Sequence, residues 1–145
     1  MQIIIDTSLY CYKHMVMEKS RHSIKSGYQW RGRFGLEGVE GTFLGHGRVV
    51  LLERIKAYGS ISQAARSMDM SFKHAKDLSD SMDRQAGCKL VVTARGGKSG
   101  GGAKLTSAGE KAIAVFWHYH ERFQEVFQEM NTKLGDIIQR ENFCP

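Results

Sequence analysis

Gly59-Ser60-Ile61-Ser62-Gln63-Ala64-Ala65-Arg66-Ser67-Met68-Asp69-Met70-Ser71-Phe72-Lys73-His74 is the stretch on which the reading of this 145-residue chain turns. Gly59 stands where a helix stops, since glycine enters the left-handed backbone region without steric cost. Ser60-x-x-Gln63 has the form of a capping box, in which the hydroxyl takes the Gln63 amide and the Gln63 side chain reaches back. It opens a short helix, Ser62 to Met68, whose Ala64-Ala65 pair is small enough for another helix to cross closely. Asp69-Met70 makes a tight connection. Ser71 then caps a longer helix to about Gln85, with Ala75, Leu78 and Met82 on its inner face and Gly87 at its end.

Working outward, Val49, Leu52 and Ile55 recur at three-residue spacing, flanked by Leu51 and Tyr58, and predict a helix that Gly59 closes. Upstream, residues 28–36 alternate: Tyr28, Trp30, Phe34 and Leu36 fall on one side, Gln29, Arg31 and Arg33 on the other. Period two with aromatics predicts a half-buried strand, a turn over 37–41, and a short return strand Thr42-Phe43-Leu44. Downstream, Leu90-Val91-Val92-Thr93 and Ala103-Lys104-Leu105 read as two strands joined by Arg95 to Gly102, which holds five glycines. Ser107-x-x-Glu110 is a second capping box that starts the last and longest helix.

Taken in order, these elements have the layout of a winged helix-turn-helix. The fold class expected is mainly α with a small β-wing, plus a long C-terminal dimerisation helix and an N-terminal β-hairpin. Residues 28–106 make the winged domain and its hairpin, 107–145 the long helix and tail. Residues 1–27 are a loosely packed arm carrying no assigned function, in which Met1, Met15 and Met17 each offer a translation start.

In such a layout the second helix of the pair projects its first turn into a major groove about 12 Å wide. Ser71, Phe72, Lys73 and His74 occupy that turn and Lys76 follows. The glycine-rich tip with Arg95, Lys98 and Ser99 is cationic and free of acid, which suits contact with a phosphate backbone or minor groove. Charge agrees with this placement. The formal net charge is +6, and residues 48–106 carry 11 basic and 5 acidic side chains, the whole excess; residues 107–145 are net acidic. An anionic partner is therefore expected at the middle of the chain.

In the last helix Ile113, Phe116, His120, Phe123, Phe127, Met130, Leu134 and Ile137 alternate spacings of three and four, a heptad seam of about three and a half repeats. A homodimer through this seam would set two recognition helices one helical turn of DNA apart. Gly135 costs roughly 1 kcal/mol in a helix interior, so the helix is expected to loosen there.

Other chemistries fit poorly. Gly97-Lys98-Ser99 ends like a phosphate-binding loop, but the first glycine that motif requires falls on Val92. No nucleophile and base stand at a convincing spacing, so no enzyme, catalytic residue or cofactor is expected. His118 and His120 face different directions on a helix, and Cys11-x-x-His14 lacks a second ligand pair, so no metal is expected either. Cys88 is read as a small buried residue. Three widely spaced cysteines fit a reducing cytoplasm, and no apolar run approaches a membrane span.

The residues resemble a known family. Gly47-Arg48 with Leu51-Leu52, Gly59-Ser60-Ile61-Ser62-Gln63-Ala64-Ala65, Met70-Ser71-Phe72-Lys73, the wing run Gly96 to Ala103 and Leu105-Thr106-x-x-Gly109 look like the N-terminal domain of ModE-type molybdate-responsive regulators. They look more distantly like the LysR-type winged helix. The resemblance covers about residues 45–130. It implies a dimeric transcriptional regulator that binds double-stranded DNA, with DNA-contact roles for Ser62, Gln63, Ser71, Lys73 and His74 by position, and an operator near molybdenum-uptake genes. The family follows this domain with molybdate-binding modules. Only about 15 residues follow the matched region here, so molybdate binding within this chain is not expected. A winged-helix module for protein–protein contact, without DNA binding, is the alternative.

Overall fold

The computed structural model describes residues 28–94 and 102–141, and for Gln139 the backbone alone. The expected N-terminal arm and the wing tip with Arg95, Lys98 and Ser99 lie outside the described residues. The elements run β1 (Gly35–Gly38), β2 (Gly41–Gly45), α1 (His46–Tyr58), α2 (Ile61–Arg66), α3 (Phe72–Ala86), β3 (Val91–Ala94), β4 (Gly102–Leu105) and α4 (Ser107–Arg140). β1 pairs antiparallel with β2, and β3 with β4. This is a winged helix with an added N-terminal hairpin and a long last helix. Among the described residues no helix is long and apolar enough to cross a membrane.

The chain divides into two compact units, one of which is Gly32–Val126. Its core is built on α1. The run Val49-Val50-Leu51-Leu52 with Ile55 is buried almost completely, wider than the three-residue spacing foretold, because neighbours cover the helix on more than one side. Ile61, Ala64 and Ala65 of α2, Ala75 and Met82 of α3, Leu90, Val91 and Ala103 of the wing, and Phe116 and Trp117 of α4 complete one continuous core. Gly59 ends α1 at φ +63°. Its carbonyl also accepts the Ala103 N–H at 2.8 Å, so the helix stop fastens β4.

α4 starts one residue earlier than the second capping box implied. Thr106, not Ser107, is the cap: its hydroxyl accepts the Gly109 N–H at 3.1 Å and donates to the Lys89 carbonyl at 2.7 Å. The reason is tertiary, because the Thr106 N–H also donates to the Leu90 carbonyl at 2.9 Å and the chain is already committed there. Gly109 meets the same carbonyl: a Cβ built on it would lie 2.4 Å from the Leu90 oxygen.

Further along α4, Phe116, Trp117 and His120 are buried, and the Phe34 ring packs against those of Phe116, His120 and Phe123. The Phe116 and His120 rings stack at 5.7 Å, and the Trp117 indole N–H donates to Glu53 Oε1 at 2.7 Å. Burial pushes the His120 imidazole below its ordinary pKa; His46 adds to the effect and Glu121 opposes it.

The second unit holds, among the described residues, 28–31 and 127–141. Of the strand foreseen over 28–36, only Gly35 and Leu36 take part in one, as the start of β1. β1 begins only at Gly35, opposite Gly45, and Tyr28 and Trp30 are about half exposed. β2 ends at Gly45, so no ladder partner exists for the earlier residues. Instead the Trp30 N–H donates to Asn131 Oδ1 at 2.6 Å and Asn131 Nδ2 donates back to the Trp30 carbonyl at 3.2 Å. α4 continues as a helix through Gly135 to Arg140, where loosening was foretold. Cys88, foreseen as buried, is exposed after Gly87, whose left-handed turn at φ +66° carries the chain outward.

Two expectations follow. Gly109→Ala should lose about 2 kcal/mol of stability, since the Cβ meets rigid backbone, while Gly135→Ala, with nothing within 4 Å, should gain roughly 0.5–1 kcal/mol. Urea titration of both variants checks this, and equal effects would refute the close approach. For His120 the folded pKa lies below the unfolded value of 6.5, so the unfolded chain binds the proton more tightly. Its contribution is full above that value and declines as pH falls through it towards the folded pKa. The melting temperature should drop on acidification from about pH 7 to 5.5, and less steeply in His120→Phe.

Candidate nucleic-acid interface

The helix-turn-helix is made by small side chains and a strained corner. Ala64 and Ala65 are fully buried where α2 packs into the core. Past α2 the Ser67 hydroxyl donates to the Ala64 carbonyl at 2.8 Å and the Met70 N–H to the Ala65 carbonyl at 3.1 Å. Asp69 closes the corner at φ +52°, the one non-glycine residue with positive φ among those described. Aspartate tolerates this region better than most side chains.

Both helices carry the side-chain caps that the sequence foretold. Ser60 Oγ accepts the Gln63 N–H at 3.4 Å, and Ser71 Oγ accepts the His74 N–H at 3.1 Å. The cap at Ser71 fixes the first turn of α3, on which Phe72, Lys73 and His74 are all exposed, as is Gln63 on α2; Ser62 is half-buried. Lys76 takes a different direction. It is half-buried, pairs with Asp80 one turn along, and lines a shallow cleft of about 250 Å³ between α3 and β3. The expected DNA-contact residues therefore fall into two groups: Ser71, Phe72, Lys73 and His74 on the exposed turn, and Lys76 in the cleft.

At the far end of that cleft sits Asp83, which sequence reasoning missed. It is buried on α3. Its Oδ1 accepts the Leu90 N–H at 2.8 Å and its Oδ2 pairs with Lys89 Nζ at 2.9 Å. The hydrogen bond to Asp83 holds the Lys89 ammonium above the usual lysine range. This carboxylate ties α3 to the root of the wing. Its only sequence signal was an acid on an otherwise apolar face, one position after Met82.

Two further exposed cations were also missed. Arg66 is exposed at the end of α2, and Lys104 is exposed on β4, where strand alternation turns Ala103 inward and Lys104 out. Other cations of the middle segment are engaged within the fold: Arg48 donates to Ser81 Oγ at 3.1 Å, Arg84 pairs with Glu40 at 3.4 Å and Lys56 with Glu110 at 2.8 Å. Among the described residues no group of three His, Cys, Asp or Glu side chains gathers as metal ligands would.

Of the seam foreseen for dimerisation, Phe116 and His120 are buried inside the Gly32–Val126 unit, and Ile113 and Phe123 are half-buried there. Phe127 and Leu134 are half-buried, while Met130 and Ile137 are exposed.

No protein-family model matches the chain. Over 105 residues it is 34% identical to the molybdenum transport protein ModE of Azotobacter vinelandii, covering 72% of this chain and 39% of that protein. Over 76 residues it is 47% identical to the molybdenum-pterin-binding protein MopB of Rhodobacter capsulatus, covering 52% and 28%. Over 98 residues it is 33% identical to the DNA-binding transcriptional dual regulator ModE of Escherichia coli (strain K12), covering 68% and 34%. The chain thus spans less than two fifths of the length of the relatives it matches.

Asp83→Ala should cost about 1–3 kcal/mol, because it strands the buried Leu90 N–H, whereas Asp83→Asn keeps an acceptor and should cost less. Thermal melts give the difference, and hydrogen exchange at the Leu90 amide should rise in Asp83→Ala alone.

Proposed function

We propose, from the premise that this chain carries a ModE-type N-terminal domain, that it is a sequence-specific regulator of transcription binding double-stranded DNA as a homodimer in the cytoplasm. The observation that carries the reading is the exposed first turn of α3, where Lys73 and His74 stand beside the caps that fix it. Lys73 and His74 enter the major groove, Ser71 caps and touches phosphate, and Ser62, Gln63 and Lys76 add contacts. Arg95, Lys98 and Ser99 of the wing tip hold the backbone. Residues 28–106 serve DNA and residues 107–145 dimerisation. Within the seam, Ile113, Phe116 and His120 are used in the protomer's own packing, so the partner is met chiefly by the stretch with Phe123, Phe127, Met130 and Leu134.

The relatives' names tie them to molybdenum, and operators near molybdenum-uptake genes follow as the place to look. The reading assigns no catalysis and no cofactor to this chain. Its rival is a winged-helix module for protein contact. Exposed Phe72 on α3 and exposed Val115 and Tyr119 on α4 are the observations in its favour. A protein that co-purifies with a chain unable to bind duplex DNA would favour that rival.

Binding to duplex DNA should weaken with salt by roughly 0.9 log units per log salt for each phosphate neutralised. Lys98→Ala should lower the slope by about one and weaken all sequences alike. Fluorescence anisotropy on a selected genomic fragment, with and without molybdate, measures both, and a flat salt dependence would overturn the proposal.

A further inference from the structure

Phe72 is the one large apolar side chain on α3 that is mainly exposed: 54% of its surface faces water. The fold does not need it there. The core face of α3 is made by Ala75 and Met82, with Leu78 packed against it, and Phe72 belongs to neither the core cluster nor its partly buried margin. It is the first residue of the helix, directly after the Ser71 cap, and Lys73 and His74 follow it, both exposed. A phenyl ring between a cap and the polar side chains of Lys73 and His74 gives a polar surface one apolar reader.

From this placement we infer that Phe72 reads the C5-methyl group of a thymine in the major groove, which makes it a specificity-determining residue for the DNA binding proposed above, on which the inference rests. The chemistry of the groove selects this target. Each base pair shows a distinct edge there, and the thymine methyl is the apolar feature a phenyl ring can contact; the other edges offer hydrogen-bond donors and acceptors that a phenyl cannot satisfy. Lys73 and His74 supply the polar and phosphate contacts that bring the ring into place, while the Ser71 hydroxyl is already engaged with the His74 amide. A protein partner for the same ring is the competing occupant and is an outcome of the test.

The test removes the methyl and nothing else. The tightest duplex recovered by the wild-type chain from a randomised library is resynthesised with each thymidine in turn replaced by deoxyuridine. The wild type should lose about four-fold in affinity at one or two positions of each half-site, the effect of one buried carbon group. Phe72→Ala should melt like the wild type and bind the thymine and uracil duplexes equally, while Phe72→Leu should keep part of the difference. Wild-type binding with a steep salt dependence but no thymine-to-uracil difference overturns the inference and leaves the DNA-binding reading standing. An undiminished difference in Phe72→Ala does the same. Failure of the wild type to recover any duplex overturns both, and capture of a protein through Phe72 in that case assigns the ring to a partner.

Discussion

Leu90 is held on both faces of its backbone, and the arrangement of the winged unit depends on that. Its N–H is taken by the buried Asp83 carboxylate of α3, and its carbonyl accepts the Thr106 N–H at the start of α4. Gly109 packs on the same carbonyl, closer than any side chain would allow. One residue therefore joins α3, the root of the wing and the last helix. Buried backbone groups left without partners are costly, so these bonds fix the position of the wing relative to α3 more firmly than its short ladder could.

Charge is distributed by the same economy of contacts. The middle of the chain carries the entire formal excess, yet Arg48, Lys56 and Arg84 are engaged within the fold. Among the described residues, Arg66, Lys73 and Lys104 are exposed cations on the helix-turn-helix and the wing strand, and His74 is exposed next to Lys73 in the chain. Net charge draws a chain toward nucleic acid, but exposure decides which side chains can meet it.

The helix-turn-helix was legible in the sequence because its signals are local. Serine caps, glycine stops and an alanine pair act within one turn of themselves, and the structure keeps all of them. What failed was whatever depended on a distant partner. The alternation of 28–36 promised a strand, but a strand needs a ladder, and β2 is too short to supply one. Ser107 was read as the cap of the last helix, but Thr106 takes that place because its backbone is bonded to Leu90. Asp83 stood out only as an acid on an apolar face, and nothing near it in the chain pointed to Leu90 as its partner. The heptad seam of α4 was read for an outside partner, while Phe34, far away in sequence, covers its first half.

The pairing of Asn131 with Trp30 has a chemical corollary. The side-chain amide both accepts and donates across the same peptide, as a neighbouring strand would. A carboxylate can do only the first. An aspartate at position 131 would keep the size, erase the donor and place a negative charge against the Trp30 carbonyl. The hold on Trp30 thus depends on an uncharged side chain, and one atom's change from nitrogen to oxygen is enough to undo half of it.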